Sequence, residues 1–407
     1  MFQQSKIRFA RPVLLCMCLM FAGALAHAQE AGGDLVGGAG IFRPKNPEAK
    51  RSGNANRPAR PRLTPAEIEE KYQDAISDGN DARDARKFAP AESSYRAAAN
   101  LKPHDARAFY GLGNIYVDQH RWDDAEDAYR KAVEFAATNP DVLMALSFVL
   151  VEPRSGAMNA KRFTDAEYFA RRATQLQPTS AVAFDRLGAA MIARGIFNND
   201  AEAALRRAVE LDPNLVVAKV HLARLLRHTN RSAEADPIYR SAIDQAKDAP
   251  TLVLIADAMQ SELSYPDSEP VLRRALNLDA RNPGALFLMG RYFSAVGKYA
   301  EAEPFLKTAI EVSPKSYLPR IILGRSYLGL DRYDDAYKTY DQAVDLASDA
   351  DRKQLAGAFG FAGVGDGYMK ASRPRDAVRA YTRGLQLDPN NADLQTRIVA
   401  ARARTTP

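Results

Sequence analysis

From Thr64 to about residue 403, small and apolar residues return at helical spacing between short polar breaks, and the pattern predicts helix after helix. Thr64-Pro65-Ala66-Glu67 marks the start: an N-cap, a proline at the first helical position and a glutamate that completes a capping box. Within this run RWDDAEDAYRKA (residues 121–132) returns as KYAEAEPFLKTA (298–309) and RYDDAYKTYDQA (332–343). The acidic residues vary and the Ala-x3-aromatic/Leu-x2-Ala pattern stays. The constant pattern therefore carries the structural information.

Its first small position is Ala91, Ala125, Ala166, Ala201, Ala235, Ser268, Ala302, Ala336 and Ala377, with successive spacings of 34, 41, 35, 34, 33, 34, 34 and 41. A second small residue stands seven positions after each. A third small column lies about 12 positions earlier, at Gly79, Gly113, Ser147, Gly188, Ala223, Ala256, Gly290, Gly324 and Gly365. These columns predict an A helix and a B helix whose backbones come close. Many B helices stop at a proline (Pro103, Pro178, Pro213, Pro314, Pro389), which cannot continue a helix interior. A 34-residue period with two insertions signals an α-solenoid.

Phe109-x2-Leu112-Gly113-x2-Tyr116, followed by Ala125, Tyr129 and Ala132, resembles the tetratricopeptide repeat, as does Phe361-x2-Val364-Gly365-x2-Tyr368 with Ala377, Tyr381 and Pro389. The resemblance implies an all-α, right-handed α-solenoid of about nine helix-turn-helix repeats over residues 64–391, closed by a capping helix in 392–407. The sequence departs from the family pattern in using Phe or Leu where Trp is common, and in the drift of the Gly and Tyr positions between Ala223 and Ser268.

The resemblance also implies a non-catalytic scaffold that binds extended protein or peptide segments along a groove lined by A helices. One residue after the third small column, that groove would present Asn114, Arg224, Asp257, Arg291 and Arg325, with Arg227 one turn along from Arg224. Three residues before the column stand Tyr110, Asp185, Phe287 and Ile321, in a mostly apolar row. The family's carboxylate clamp for chaperone tails needs a lysine in this row, and none is present. The expected ligand is a partly apolar segment carrying acidic groups, held by Arg224, Arg227, Arg291 and Arg325, with Tyr110, Asn114, Phe287 and Ile321 as contacts. The alternative is that the apolar residues pack on neighbouring helices and the arginines pair with Asp257 or water.

The ends of the chain differ in character. Lys6, Arg8 and Arg11 precede an apolar run from Val13 to Ala26, and Ala26-His27-Ala28 has the form of a cleavage site, so residues 1–28 read as a secretory signal peptide. Both cysteines, Cys16 and Cys18, lie inside it, leaving a cysteine-free exported chain that fits a periplasmic setting. Residues 29–63 are rich in Gly, Pro and Asn and hold seven basic residues against three acidic; they read as a flexible linker. With Ile41 and Phe42, this segment gives at most a peripheral tether to anionic envelope surfaces. The whole-chain charge of +6 is concentrated in these first 63 residues, so the helical body has no basic footprint for nucleic acid.

Catalytic chemistry has little to stand on. His104, His120, His221 and His228 form no His-Glu-x-x-His helix, and neither a metal nor a cofactor is expected. Asp123, Asp124, Glu126 and Asp127 begin a B helix, where acids suit the macrodipole and face water. Trp122 is expected to pack at the A–B turn. The glycines of residues 357–368 belong to the last A helix and are expected to loosen it. The insertion at 151–163 lengthens the third A–B turn. Assembly of an envelope machine in secretion, pilus formation, polysaccharide export or cytochrome maturation is the leading role. A carbohydrate- or peptidoglycan-binding accessory is the runner-up.

Overall fold

A computed structural model describes residues 63–152, 159–262 and 265–405, and every regular element in them is α-helical. Residues 1–62, with the expected signal peptide and linker, lie outside the described residues, as do 153–158 of the first insertion.

The helices divide into two compact units, residues 29–142 and 143–407. In the first, α1 (Pro65–Asp84) pairs with α2 (Phe88–Leu101) and α3 (Ala106–Asp118) with α4 (Trp122–Phe135). The unit boundary falls inside α5 (Pro140–Val151). The second unit continues with α6 (Asn159–Leu176), α7 (Ala181–Ala193) and α8 (Asn199–Leu211). There follow α9 (Val216–His228) and α10 (Ser232–Gln245), α11 (Ala249–Ser261) and α12 (Tyr265–Leu278), and α13 (Pro283–Ala295) and α14 (Tyr299–Val312). It ends with α15 (Leu318–Gly329) and α16 (Tyr333–Val344), a short α17 (Asp349–Gln354), the pair α18 (Phe361–Lys370) and α19 (Pro374–Leu387), and α20 (Ala392–Ala403). The A helices α1, α3, α7, α9, α11, α13, α15 and α18 each pack on the B helix that follows, and A helices also touch in succession: α1 with α3 in one unit, and α7, α9, α11, α13, α15 and α18 in the other. This is an α-solenoid arrangement.

The three small columns explain the pairing. All nine residues of the first column are fully buried. A Cβ on Gly113 would lie 2.3 Å from Tyr129 Cε1, and one on Gly290 would lie 2.4 Å from Leu306 Cγ. The B-helix tyrosine or leucine thus occupies the space that the missing side chain leaves. In the second unit one apolar core runs from Ala170 to Ala401.

The A–B turns follow a rule that the residue types conceal. Arg86, His120, Asn230, Asp331 and Ser372, together with Gly195 and Gly297, all have φ between 55° and 79°. After each, the chain closes a six-to-one bond back onto the A helix, as from Arg121 N–H to Tyr116 O (2.8 Å) and from Arg332 N–H to Tyr327 O (2.9 Å). This is a Schellman ending, built here mostly without glycine.

Five A helices, α1, α3, α7, α11 and α13, start from side-chain caps at Thr64, Asp105, Ser180, Asp248 and Asn282. The capping box expected at Thr64 forms, with Thr64 N–H donating to Glu67 Oε2 at 2.7 Å and Glu67 N–H donating to Thr64 Oγ1 at 3.2 Å. Several B helices start instead from a cation: Arg121, Arg231, Arg332 or Arg373. Each reaches an acid three residues on, as Arg121 reaches Asp124 (2.7 Å) and Arg332 reaches Asp335 (2.7 Å). Each also reaches an acid of the preceding B helix: Glu92 (3.0 Å), Glu202 (2.6 Å), Glu303 (2.7 Å) and Asp334 (2.7 Å) respectively. Asp123, Asp124 and Asp127 are exposed as expected, Asp124 also belonging to one of these clips, whereas Glu126 is mostly covered and pairs with Arg130 at 2.8 Å. Trp122 is the first residue of α4, with its ring 5.5 Å from that of His120.

Two insertions differ from expectation. Residues 159–163 extend α6 rather than the turn, and the buried Arg162 donates to Val149 O (3.0 Å) and Glu152 O (3.1 Å), satisfying carbonyls at the end of α5. In the last repeat, residues 357–360 are not helical. Phe361 N–H donates to Leu355 O (2.8 Å), so the chain loops out and carries Phe359 to the surface, 53% exposed. Gly367 is helical, and the Tyr333 ring occupies the space a side chain there would need: a Cβ would lie 2.2 Å from Cε1.

Candidate protein-binding face of the A helices

The position after the third small column is where the A helices could meet a partner, and its chemistry changes along the chain. In the first unit it holds Asn80 and Asn114, whose Oδ1 atoms accept from Tyr95 and Tyr129 at 2.7 Å. Asn114 is thereby partly engaged. Tyr110 is half-buried, its ring 5.8 Å from that of Tyr129.

In the second unit α9, α11 and α13 bring a set of charges together. Arg291 donates from Nη2 to Asp257 Oδ1 (2.7 Å) and from Nε to Gln260 Oε1 (2.6 Å). Gln260 in turn donates to Ser268 Oγ and Leu288 O, both at 3.0 Å. Arg291 is thus an internal tie between α11 and α13, 5.7 Å from the ring of Phe287, which is itself buried. Arg227 pairs with Asp236 (2.8 Å) and lies 5.0 Å over the Tyr239 ring. Arg224 approaches Glu262 at 3.8 Å and is half-buried.

Glu262 is the most strained member. Its side chain is 10% exposed, its Oε1 has no hydrogen-bond partner, and Tyr239 donates to Oε2 at a long 3.3 Å. Burial pushes its carboxyl up to about 8, with Arg224 and Arg227 opposing the rise. Burial likewise raises Asp257 above the usual carboxylate range, and Arg291 restrains it.

Arg325 behaves differently from Arg291. It is exposed and lies 4.9 Å over the ring of Phe359, and it has no ion pair among the described residues. Ile321, one turn before it, is half-buried and packs against the core. The structure therefore gathers Arg224, Arg227, Phe287 and Arg291 on adjacent helices and sets Ile321 and Arg325 on α15. Tyr110 and Asn114 belong to the other unit.

Asp185, a lone acid in the apolar row, is fully buried and faces His221 Nδ1 at 2.7 Å. Burial works to raise its carboxyl, but contact with His221 and Arg186 overrides this and holds it below the usual range. His228 stacks on Phe197 with centroids 3.5 Å apart. Among the described residues no three His, Cys, Asp or Glu side chains converge as a metal site, and no helix is long and apolar enough to cross a membrane. The pairing of Asp185 with His221, separated by 36 residues, shows in the sequence only as a charge in an apolar row.

Paired helices with small-residue seams and a period near 34 residues define a helical-repeat protein. Residues 78–140 and 293–358 match tetratricopeptide repeat models, so these two stretches carry tetratricopeptide repeats. Over 217 residues it is 24% identical to cellulose synthase operon protein C of Pseudomonas fluorescens, a match covering 50% of this chain and 16% of that relative. The chain thus spans a small part of that protein's length. Among solved structures, a tetratricopeptide repeat protein from Parabacteroides merdae aligns with a TM-score of 0.48 and 17% identity, covering 62% of this chain and 98% of that one. Pseudomonas aeruginosa pilF aligns with a TM-score of 0.40 and 19% identity, covering 52% of this chain and 94% of that one. Proteins of this repeat family are generally non-catalytic interaction scaffolds.

Proposed function

We propose that the protein is an exported scaffold that binds a protein or peptide segment along its A helices during assembly of a cell-envelope complex. The observation that carries this reading is the A-helix face of the second unit, where Arg325 presents its guanidinium over the open ring of Phe359 and Arg224 lies half-buried near Glu262. Arginine suits carboxylate recognition because its fork of donors matches two acceptor oxygens. Among envelope roles, polysaccharide export draws support from the similarity to cellulose synthase operon protein C. The signal-peptide pattern of residues 1–28 supports export, and a mature chain beginning at Gln29 in the periplasmic fraction is the result that agrees with it.

The test is capture of binding partners from an envelope extract by the wild-type chain and by an Arg224→Glu/Arg325→Glu variant. Arg291 is left intact because its bonds to Asp257 and Gln260 hold α11 to α13. A partner retained by the wild type and lost by the variant supports the reading. Equal retention of every partner overturns the A-helix face as the binding surface.

A further inference from the structure

In three repeats the B-helix tyrosine that packs on the A-helix glycine finds an acceptor 15 residues back: Tyr95 donates to Asn80, Tyr129 to Asn114 and Tyr381 to Asp366, each at 2.7 Å. Tyr340 occupies the same place against Gly324, where an added Cβ would lie 2.5 Å from its Cε1. Fifteen residues before it stands Arg325, which has donors and no acceptor. The Tyr340 side chain is fully buried and its hydroxyl has no hydrogen-bond partner. A buried donor without an acceptor is costly and rare in folded proteins.

Two further features converge there. Arg325 is exposed and forms no ion pair among the described residues, in contrast to Arg291 one repeat earlier. Arg325 directly follows the glycine on which Tyr340 packs, in the position from which Asn80, Asn114 and Asp366 reach their tyrosine hydroxyls. Beside them, the looped-out turn after α17 holds Phe359 against Arg325 at 4.9 Å with half its surface open. A hydroxyl donor, a guanidinium and an open aromatic face therefore share one place, and the oxygen acceptor that other repeats supply is missing. The Asn and Asp side chains that stand there elsewhere are the size and shape of a carboxylate group.

Building on the proposed function, we infer that the eighth repeat holds a carboxylate subsite. An aspartate or glutamate side chain of an extended partner segment accepts from the Arg325 guanidinium and, by displacing the side chains that bury it, from the Tyr340 hydroxyl, and a neighbouring partner side chain lies on Phe359. No covalent step is involved; the ligand supplies the acceptor that this repeat lacks.

The probe is a randomised array of acetylated, C-terminally amidated peptides, which removes terminal carboxylates as a competing source. Peptides retained by the wild-type chain are expected to carry an acidic residue at one position. Replacing that residue by its amide should weaken binding roughly tenfold, as for loss of one charge-assisted hydrogen bond. Arg325→Gln should weaken the acidic peptide to a similar degree and leave the amide peptide unaffected. Tyr340→Phe should also weaken the acidic peptide, without lowering the thermal midpoint, because the phenyl ring still packs on Gly324. If peptides bind but show no acidic preference, or if both variants bind as the wild type does, the subsite is wrong while the scaffold reading stands. If the wild type retains no peptide, the A-helix reading fails and the subsite fails with it.

Discussion

Glu262 shows what a single side chain contributes to the behaviour of the array. An unfolded glutamate titrates near 4.3, whereas burial in the folded chain lifts Glu262 to about 8. Between these values the folded carboxyl holds a proton that the unfolded one has released. Stability should therefore fall as pH rises through this window, by up to about 1.4 kcal/mol per pH unit for this one group, and level off above it. Glu262→Gln should remove that slope, which denaturant unfolding at several pH values between 5 and 8 would measure. A second residue-scale prediction concerns Ser372, held at φ 55°. Ser372→Gly relieves left-handed strain at some cost in chain entropy and should stabilise by roughly 0.5 kcal/mol in the same assay.

At the scale of helices, the seams decide. Ala302 is fully buried where α14 meets its partner, so Ala302→Leu should destabilise by about 1–3 kcal/mol through overpacking. A change within error would mean that the seam has room. Arg162 is a different junction, since two carbonyls at the end of α5 depend on it. Arg162→Leu leaves those carbonyls without their donor and should cost about 1–3 kcal/mol, read from the unfolding midpoint. Small-residue periodicity made the seams legible in the sequence, because a helix contact of this closeness admits few residue types. The A–B turns were not legible in the same way. Their left-handed position holds Arg, His, Asn, Asp, Ser or Gly, and only the backbone reveals the shared geometry. The arginine clips escaped for a related reason: Arg121 and Glu92 lie 29 residues apart, and nothing local ties one to the other.

For the molecule as a whole, α20 closes the last repeat by burying Leu394, Ile398 and Ala401. Deleting residues 390–407 should speed amide exchange in α18 and α19 and leave α9 and α10 unchanged, since repeat arrays couple mainly to their neighbours. A uniform change along the chain would contradict that locality. The sequence set out the number and order of helix pairs, because every pair repeats the same packing problem. It did not distinguish Arg291 from Arg325: both follow a glycine on an A helix, and only the folded chain shows one tied to Asp257 and the other lying over Phe359.

The clips have a mechanical consequence. Arg121, Arg231, Arg332 and Arg373 each fasten a B helix to the one before it, with side chains about 40% open to solvent, while the apolar seams hold the same junctions from within. Ions in the medium screen the fasteners and leave the seams nearly untouched. Each junction is therefore a stiff pivot beside a solvent-tuned spring, and rising salt should make the array more compliant before it makes it less folded.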